Sequence, residues 1–126
     1  MDLTYEAKYH QLEEQHWWFA GRRDAVYDLI QRLQLPATAA ILEIGCSGGP
    51  LMQRLRAAGY ADLTGIDVSA PAIELAQARG VPNVSVMDGA ALEFADTRFD
   101  LVIASDVLEH IENEAKALSE WTRVLK

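Results

Sequence analysis

The sequence predicts an α/β protein built on one doubly wound parallel sheet. Short apolar runs rich in Val, Ile and Leu alternate along the chain with longer segments of helical periodicity. Glycine or proline separates most of these segments. Strands that alternate with helices form parallel sheets with right-handed crossovers and helices on both faces. Because ligands of such sheets bind beyond the carboxyl ends of the strands, residues at those ends are the first candidates for a site.

The composition indicates one globular domain and excludes several partners. The chain has 126 residues, of which 50% are hydrophobic. Its net charge of −8 disfavours nucleic acid and anionic membranes, because both attract Lys and Arg. The single cysteine, Cys46, rules out an intrachain disulfide, and no apolar run is long enough to span a membrane. We therefore expect a cytoplasmic protein that contacts neither nucleic acid nor membrane.

Residues 1–36, the lead-in segment, are expected to be helical, and residues 37–126 to form the sheet domain. The lead-in pattern predicts two helices within residues 5–35 that meet near Ala20–Gly21. The second of these helices should bury one apolar face. That face consists of Val26, Leu29, Ile30 and Leu33.

The sheet domain should contain four strands and three helices. The predicted strands are 39–45, 63–68, 84–87 and 99–105. The predicted helices are 51–58, 70–78 and 113–125. Ser69 is in position to cap the middle helix, and Gly59 and Gly80 mark helix ends. The strand at 99–105 is apolar on both faces, as a central parallel strand should be.

The turn after the first strand carries the most specific motif of the chain. There an apolar strand ends in Gly45, and such a glycine turn before a helix leaves backbone N–H groups open to a ligand. The dinucleotide fingerprint G-x-G-x-x-G fails, since Ser47 and Pro50 occupy its second and third glycine positions. The carboxylate of Glu43 would oppose a phosphate but suits a cationic amino-acid group.

The segment E-x-G-C-S-x-G at residues 43–49 resembles the E/D-x-G-x-G-x-G loop of class I S-adenosylmethionine-dependent methyltransferases, with Ser47 at the position of the family's middle glycine. Residues 99–110 resemble the family's F-D-x-V-x-x-x-x-V-L-E-H strand, and residues 88–94 its D-[AG]-x-x-L-P-F element. Within the lead-in segment, residues 16–22 are similar to the family's H-x-W-F-x-x-R segment. The motifs occur in the family's order, which implies a Rossmann-like sheet with strand order 3-2-1-4 and S-adenosyl-L-methionine as the cofactor.

The resemblance implies a set of cofactor-binding residues. These are Glu43, Gly45, Cys46, Ser47, Gly49, Asp67, Val68, Asp88, Gly89, Ser105, Trp18 and Arg22. Asp67 would accept hydrogen bonds from the ribose hydroxyls, or else serve as a turn or cap residue. Asp88 with the N–H of Gly89 would recognise the adenine edge, although Asp-Gly is also a plain turn signal. Arg22 or Arg23 would meet the methionine carboxylate; the alternative is that this segment packs a helix onto the sheet.

His110 is the candidate catalytic residue, as a base for an acceptor hydroxyl; the alternative is a hydrogen bond at a helix start. His10 and His16 lack paired ligands at metal spacing, so we expect no metal site. Cys46 has no legible catalytic partner and is not expected to act as a nucleophile. Residues 105–108 lack the Asp/Asn-Pro-Pro-aromatic cluster, which favours a small-molecule acceptor over DNA or a glutamine side chain.

In the family, the R-V-L-K motif found here at residues 123–126 continues into Pro-Gly-Gly and a fifth strand. We therefore expect the cofactor-binding portion of such an enzyme, inactive in methyl transfer on its own. The edge of strand 99–105 would then be open to a second copy or to a partner chain. The alternatives are a non-catalytic module that binds the cofactor or a partner, and an NAD-binding Rossmann domain.

Overall fold

A computed structural model of the chain describes residues 8–10, 12, 16–105, 107–108 and 111–126. Four parallel strands form one sheet: β1 Ala40–Ile44, β2 Asp62–Asp67, β3 Val84–Val86 and β4 Leu101–Ile103. Residues 8–10 and 12 are helical, and the helices with both ends described are α1 Trp17–Arg32, α2 Pro50–Ala57, α3 Ala70–Ala78 and α4 Glu114–Val124. The strand order is β3-β2-β1-β4, which confirms the predicted 3-2-1-4 sheet.

The central position of β1 explains its composition. It pairs with β2 on one side and β4 on the other, and all five of its residues are buried. Alternate residues face opposite sides of the sheet. Ile41 belongs to a core with α1, α2 and α3, whereas Leu42 and Ile44 belong to a second core that includes Phe99 and Val124.

The predicted ends of α3 and α4 are confirmed. The Ser69 hydroxyl accepts a hydrogen bond from the Ala72 N–H at 3.2 Å, which satisfies one of the free donors of the first turn of α3. Asn113 does the same for the Lys116 N–H at 3.0 Å. Gly80 follows α3 with a φ of +81°, a left-handed conformation that glycine adopts without strain.

The prediction for the lead-in segment is wrong in two respects. Helix α1 runs through Ala20–Gly21 without a break, because a glycine within a helix costs only about 1 kcal/mol. Its start is set by His16, whose ring nitrogen accepts the Trp18 N–H at 3.2 Å. Leu29 and Leu33 are 61% and 55% exposed instead of buried. The buried stripe of α1 is narrower and consists of Val26, Tyr27 and Ile30.

Strand β4 is shorter than the predicted 99–105. Before it begins, Phe99 forms a parallel bridge with Leu125, in which the Phe99 N–H donates to the Val124 carbonyl at 2.9 Å. The chain after α4 therefore lies along the outer side of β4 at its start. Among the described residues, no helix is long and apolar enough to cross a membrane.

Candidate functional site

An open cleft of about 730 Å³ lies at the carboxyl ends of the strands. Its walls come from the ends of all four strands, from the lead-in segment and from the start of α4. Eight of the predicted cofactor-binding residues line it: Gly45, Ser47, Asp67, Val68, Asp88, Gly89, Ser105 and Arg22. The other four, which are Glu43, Cys46, Gly49 and Trp18, do not belong to its lining.

The glycine loop, residues 45–49, is held from within more tightly than the sequence predicts. The N–H groups of Gly45 and Cys46 both donate to the Ile66 carbonyl, at 2.8 and 2.9 Å. The Gly49 N–H donates to the Cys46 carbonyl at 3.0 Å, so the expectation that these groups are open to a ligand is wrong. Gly45 is required for another reason: its φ is +78°, and an added Cβ would lie 2.5 Å from a methyl group of Val107.

Asp67 is fixed at the end of β2 by two backbone donors. Its Oδ2 accepts the Ser47 N–H at 2.9 Å, and its Oδ1 accepts the Ser69 N–H at 2.9 Å. A carboxylate offers roughly four lone-pair positions. Considering the described residues, one position therefore stays available on each oxygen, and the half-buried side chain lines the cleft. The turn role and the capacity to bind a diol are thus compatible in the same residue.

Asp88 and Gly89 form the opposite wall after β3. The Asp88 Oδ1 accepts the Ala90 N–H at 2.8 Å, so the predicted turn role is present. The Gly89 carbonyl accepts the indole N–H of Trp121 at 2.8 Å, which fixes this loop to α4. A Cβ on Gly89 would lie 2.9 Å from Ile44, so the loop packs closely on the end of β1.

Glu43 and Cys46 are buried beside the cleft. Burial, and to a smaller extent the Asp67 carboxylate, raise the pKa of Glu43 to about 8, although Arg23 opposes the shift. The Glu43 Oε1 has no hydrogen-bond partner within the described part of the chain. Burial, with Glu43 and Asp67 nearby, raises the pKa of the Cys46 thiol above its ordinary range. A neutral thiol is a poor nucleophile, in agreement with the expectation for Cys46.

The lead-in segment covers one end of the cleft with cationic and aromatic side chains. The Arg22 guanidinium lies 3.9 Å from the Trp18 ring centroid and 5.3 Å from that of Phe19. Arg22 and Phe19 line the cleft, whereas Trp18 is 49% exposed and supports Arg22 from outside. The structure therefore places Trp18 behind a lining residue, where a cation–π contact fixes the guanidinium.

Sequence reasoning missed several residues of the cleft. The additional polar and aromatic ones are Tyr9, His10, Phe19, Ser69, Glu112, Asn113 and Lys116. Phe19 belongs to the H-x-W-F-x-x-R segment, although it is not among the predicted site residues. Tyr9 and His10 gave no such signal, because nothing in their spacing reveals a contact with the distant glycine loop. The predicted base His110 lies outside the described residues. Within the residues that the structure describes, no group of three or more His, Cys, Asp or Glu side chains could hold a metal ion.

Comparison with known proteins gives a consistent family. Residues 42–126 match the model of the methyltransferase domain family. The ubiquinone biosynthesis O-methyltransferase of Alkalilimnicola ehrlichii is 34% identical over 92 residues, which cover 68% of this chain and 37% of that protein. A Bos taurus protein named "Probable tRNA methyltransferase 9B" is 34% identical over 88 residues, which cover 68% of this chain and 18% of that protein. The chain thus spans less than half the length of these relatives.

A solved structure supports the same assignment. A SAM-dependent methyltransferase of Methanosarcina mazei superposes with a TM-score of 0.68 at 30% identity, over 77% of this chain and 52% of that one. The family match extends over about two thirds of the chain and includes the glycine loop and Asp67. On this evidence, together with its 3-2-1-4 parallel sheet, the chain belongs to the class I S-adenosylmethionine-dependent methyltransferases.

Proposed function

We propose that this chain binds S-adenosylmethionine and that, as the cofactor-binding part of an enzyme, it presents the cofactor's methyl group to the hydroxyl of a small-molecule acceptor. The observation that carries the proposal is the Asp67 carboxylate, which two backbone N–H groups aim into the cleft. When bound, the cofactor supplies an activated methyl group on a sulfonium leaving group. The chain's residues would then contribute mainly by positioning the reacting groups.

Asp67 and the loop after β3 suit the nucleoside part of the cofactor. The available position on each Asp67 oxygen would accept one of two adjacent ribose hydroxyls. The Asp88 carboxylate, whose Oδ1 accepts the Ala90 N–H, would also accept an exocyclic amine. Val68 lines the cleft although it is 73% exposed, which is a large exposure for an apolar side chain. A flat apolar ligand face would cover it.

Glu43 and Arg22 suit the amino-acid part of the cofactor. An ammonium group near the glycine loop would favour the ionised form of Glu43, whose Oε1 is buried without a partner among the described residues. Arg22 lines the cleft and carries the positive charge that a carboxylate requires. The two opposite charges match a zwitterion, and the ionised carboxylate of Glu43 would repel the pyrophosphate of a dinucleotide.

The charge of the chain supports a small acceptor. One relative is named for tRNA and another for an O-methylation in ubiquinone biosynthesis. A polyanion such as tRNA binds through Lys and Arg, whereas this chain has a net charge of −8. The charge therefore favours a small acceptor, and the hydroxyl is proposed because the similar protein from Alkalilimnicola ehrlichii is named an O-methyltransferase.

Isothermal calorimetry with S-adenosylhomocysteine and, in parallel, NAD tests the cofactor part. We expect saturable binding of S-adenosylhomocysteine and none of NAD; the reverse order would refute the proposal. Filter binding with tRNA tests the acceptor class. A tRNA complex tighter than the roughly micromolar range of non-specific binding would contradict a small acceptor.

A further inference from the structure

A hydrogen bond joins the lead-in segment to the glycine loop. The Nδ1 atom of His10 lies 2.7 Å from the Oγ atom of Ser47, although the two residues are 37 positions apart. Both residues line the cleft. Ser47 is buried, and His10 is half-buried with its ring packed edge-on against Tyr9 at 5.5 Å.

Ser47 occupies a junction between two contacts. Through its side chain it holds His10, and through its N–H it holds the Oδ2 of Asp67 at 2.9 Å. Asp67 is the residue that the proposed function assigns to the ribose. A displacement of Ser47 would therefore act on the lead-in segment and on the Asp67 carboxylate together.

The backbone at this junction favours glycine over serine. Ser47 has a φ of +54°, in the left-handed region that glycine enters freely and that other residues rarely adopt. Serine in this conformation adds a hydroxyl that glycine cannot supply. The contact that this hydroxyl makes is the hydrogen bond to His10.

We propose that His10 is a positioning residue for the cofactor, and that it acts by fixing Ser47 and the lead-in segment over one end of the cleft. The inference rests on the proposed function. Tyr9 packs against the His10 ring and lines the cleft, as Arg22 and Phe19 of the same segment do. Loss of the bond would free this wall and speed the release of the cofactor, without removal of a group that touches the reacting atoms.

Titration with S-adenosylhomocysteine tests the assignment in five proteins: wild type, Ser47→Gly, Ser47→Ala, His10→Leu and His10→Asn. We expect roughly 3- to 10-fold weaker binding for the first three variants, the effect of one lost hydrogen bond. Ser47→Gly relieves the backbone and Ser47→Ala does not, so equal losses identify the hydroxyl as the cause. His10→Asn should bind like wild type, because its amide nitrogen can take the place of Nδ1.

The double variant that combines Ser47→Gly with His10→Leu tests whether the two residues act through the same hydrogen bond. Its affinity should equal that of either single variant, because both changes remove the same bond. The assignment would be overturned if the fold-losses in affinity of the two single variants multiplied in the double variant. It would also be overturned if His10→Asn bound S-adenosylhomocysteine as weakly as His10→Leu. Equal binding by wild type and all variants would overturn it as well.

Hydrogen exchange of the ligand-free proteins separates this inference from the proposed function. His10→Leu should speed exchange in residues 45–49, and Ser47→Ala should speed it in residues 8–10. Unchanged exchange in both segments would overturn the coupling, whatever the ligand data. If wild type fails to bind S-adenosylhomocysteine, the proposed function and with it the role for the cofactor are refuted, while exchange still decides whether the two segments are coupled.

Discussion

Each oxygen of the Asp67 carboxylate accepts one backbone N–H, and the two donors belong to different segments. Ser47 lies in the glycine loop, and Ser69 caps α3. At the scale of the residue, one side chain thus joins the two segments beside the position that we propose for the ribose. A substitution there should change both the stability of the fold and the affinity for ligand, and the two effects can be measured separately.

Asp67→Asn should weaken S-adenosylhomocysteine binding by roughly 5- to 150-fold, or about 1–3 kcal/mol, because an amide has one acceptor oxygen instead of two. It should also lower the free energy of unfolding by about 1–2 kcal/mol, since one backbone N–H then faces an NH₂ group. Calorimetry and urea unfolding measure the two effects. Asp28→Asn, at an exposed position of α1, makes the same change of charge and should alter neither.

Glu43 should make stability depend on pH in the opposite sense to an ordinary carboxylate. Its pKa rises from 4.5 to about 8 in the folded chain. Between these two pH values, the folded state therefore holds a proton that the unfolded state has lost. Its contribution is fully present below pH 4.5 and is lost as the pH rises through about 8. Glu43→Gln should remove this decline and leave the variant more stable than wild type at mildly alkaline pH, by about 1–2 kcal/mol.

Thermal unfolding of wild type and Glu43→Gln on both sides of that interval checks the sign. Asp100 and Glu120 change the stability in the opposite direction with pH. Hydrogen bonds from the Ala40 N–H to Asp100 and from Arg123 to Glu120 lower the pKa values of these carboxyls. Their contributions are present above the ordinary range of a carboxyl and are lost as the pH falls. The difference between the two proteins isolates Glu43, and a difference that grows towards acid pH would contradict the prediction.

At the scale of elements, α4 is fixed to the connection between β3 and β4 by a group of hydrogen bonds. The Arg123 guanidinium donates to the carbonyls of Phe94 and Leu92, at 2.8 and 3.0 Å, and to Glu120 at 2.7 Å. Glu120 in turn accepts the Leu92 N–H at 2.9 Å. This connection begins with the Asp88-Gly89 wall of the cleft, so the position of α4 also sets the position of that wall.

Arg123→Met should lower the free energy of unfolding by about 1–3 kcal/mol, because it leaves backbone carbonyls without their donor. Arg98→Met is the matched control: Arg98 pairs with Asp62 at 3.0 Å, but both side chains are about 40% exposed. Exposed pairs contribute about 0–1 kcal/mol. In urea unfolding, Arg123→Met should therefore have a clearly lower free energy of unfolding than Arg98→Met. Equal losses of stability in the two variants would contradict the role of the Arg123 hydrogen bonds.

Elements with strong local signals could be predicted from sequence, and contacts between distant segments could not. Ser69 before Ala70 marks the start of α3, and the alternation of strands and helices predicts a parallel sheet. The sequence predicts a break at Ala20–Gly21, but a single glycine destabilises a helix too little to end it, so α1 is continuous there. The bond between His10 and Ser47 left no trace in the spacing of residues. The glycine loop was located correctly, but packing against Val107 explains Gly45 better than open N–H groups do.

At the scale of the whole molecule, the sheet has one partly covered edge. Phe99 is paired by the residues after α4, and alternation directs the backbone groups of Leu101 and Ile103 to the same side. One side of β4 pairs with β1, and within the described chain no strand pairs with its other side beyond that bridge. We propose that this edge takes a strand from a second copy or from a partner chain.

Light scattering of the 126-residue chain should show a mass that rises with concentration. Added salt should strengthen the effect, because it screens repulsion between chains of net charge −8. A monodisperse monomer at every concentration and salt level would refute the proposal for a second copy.

The cleft draws its walls from residues as distant in the chain as Tyr9 and Lys116. A ligand that fills it therefore works thermodynamically as a reversible cross-link between the two ends of the polypeptide, and closes a loop of nearly the whole chain. At a ligand concentration about one hundred times the dissociation constant, it would add about 2.7 kcal/mol to the stability. The supply of cofactor would then govern how long the protein resists unfolding and proteolysis as well as how often its site is filled.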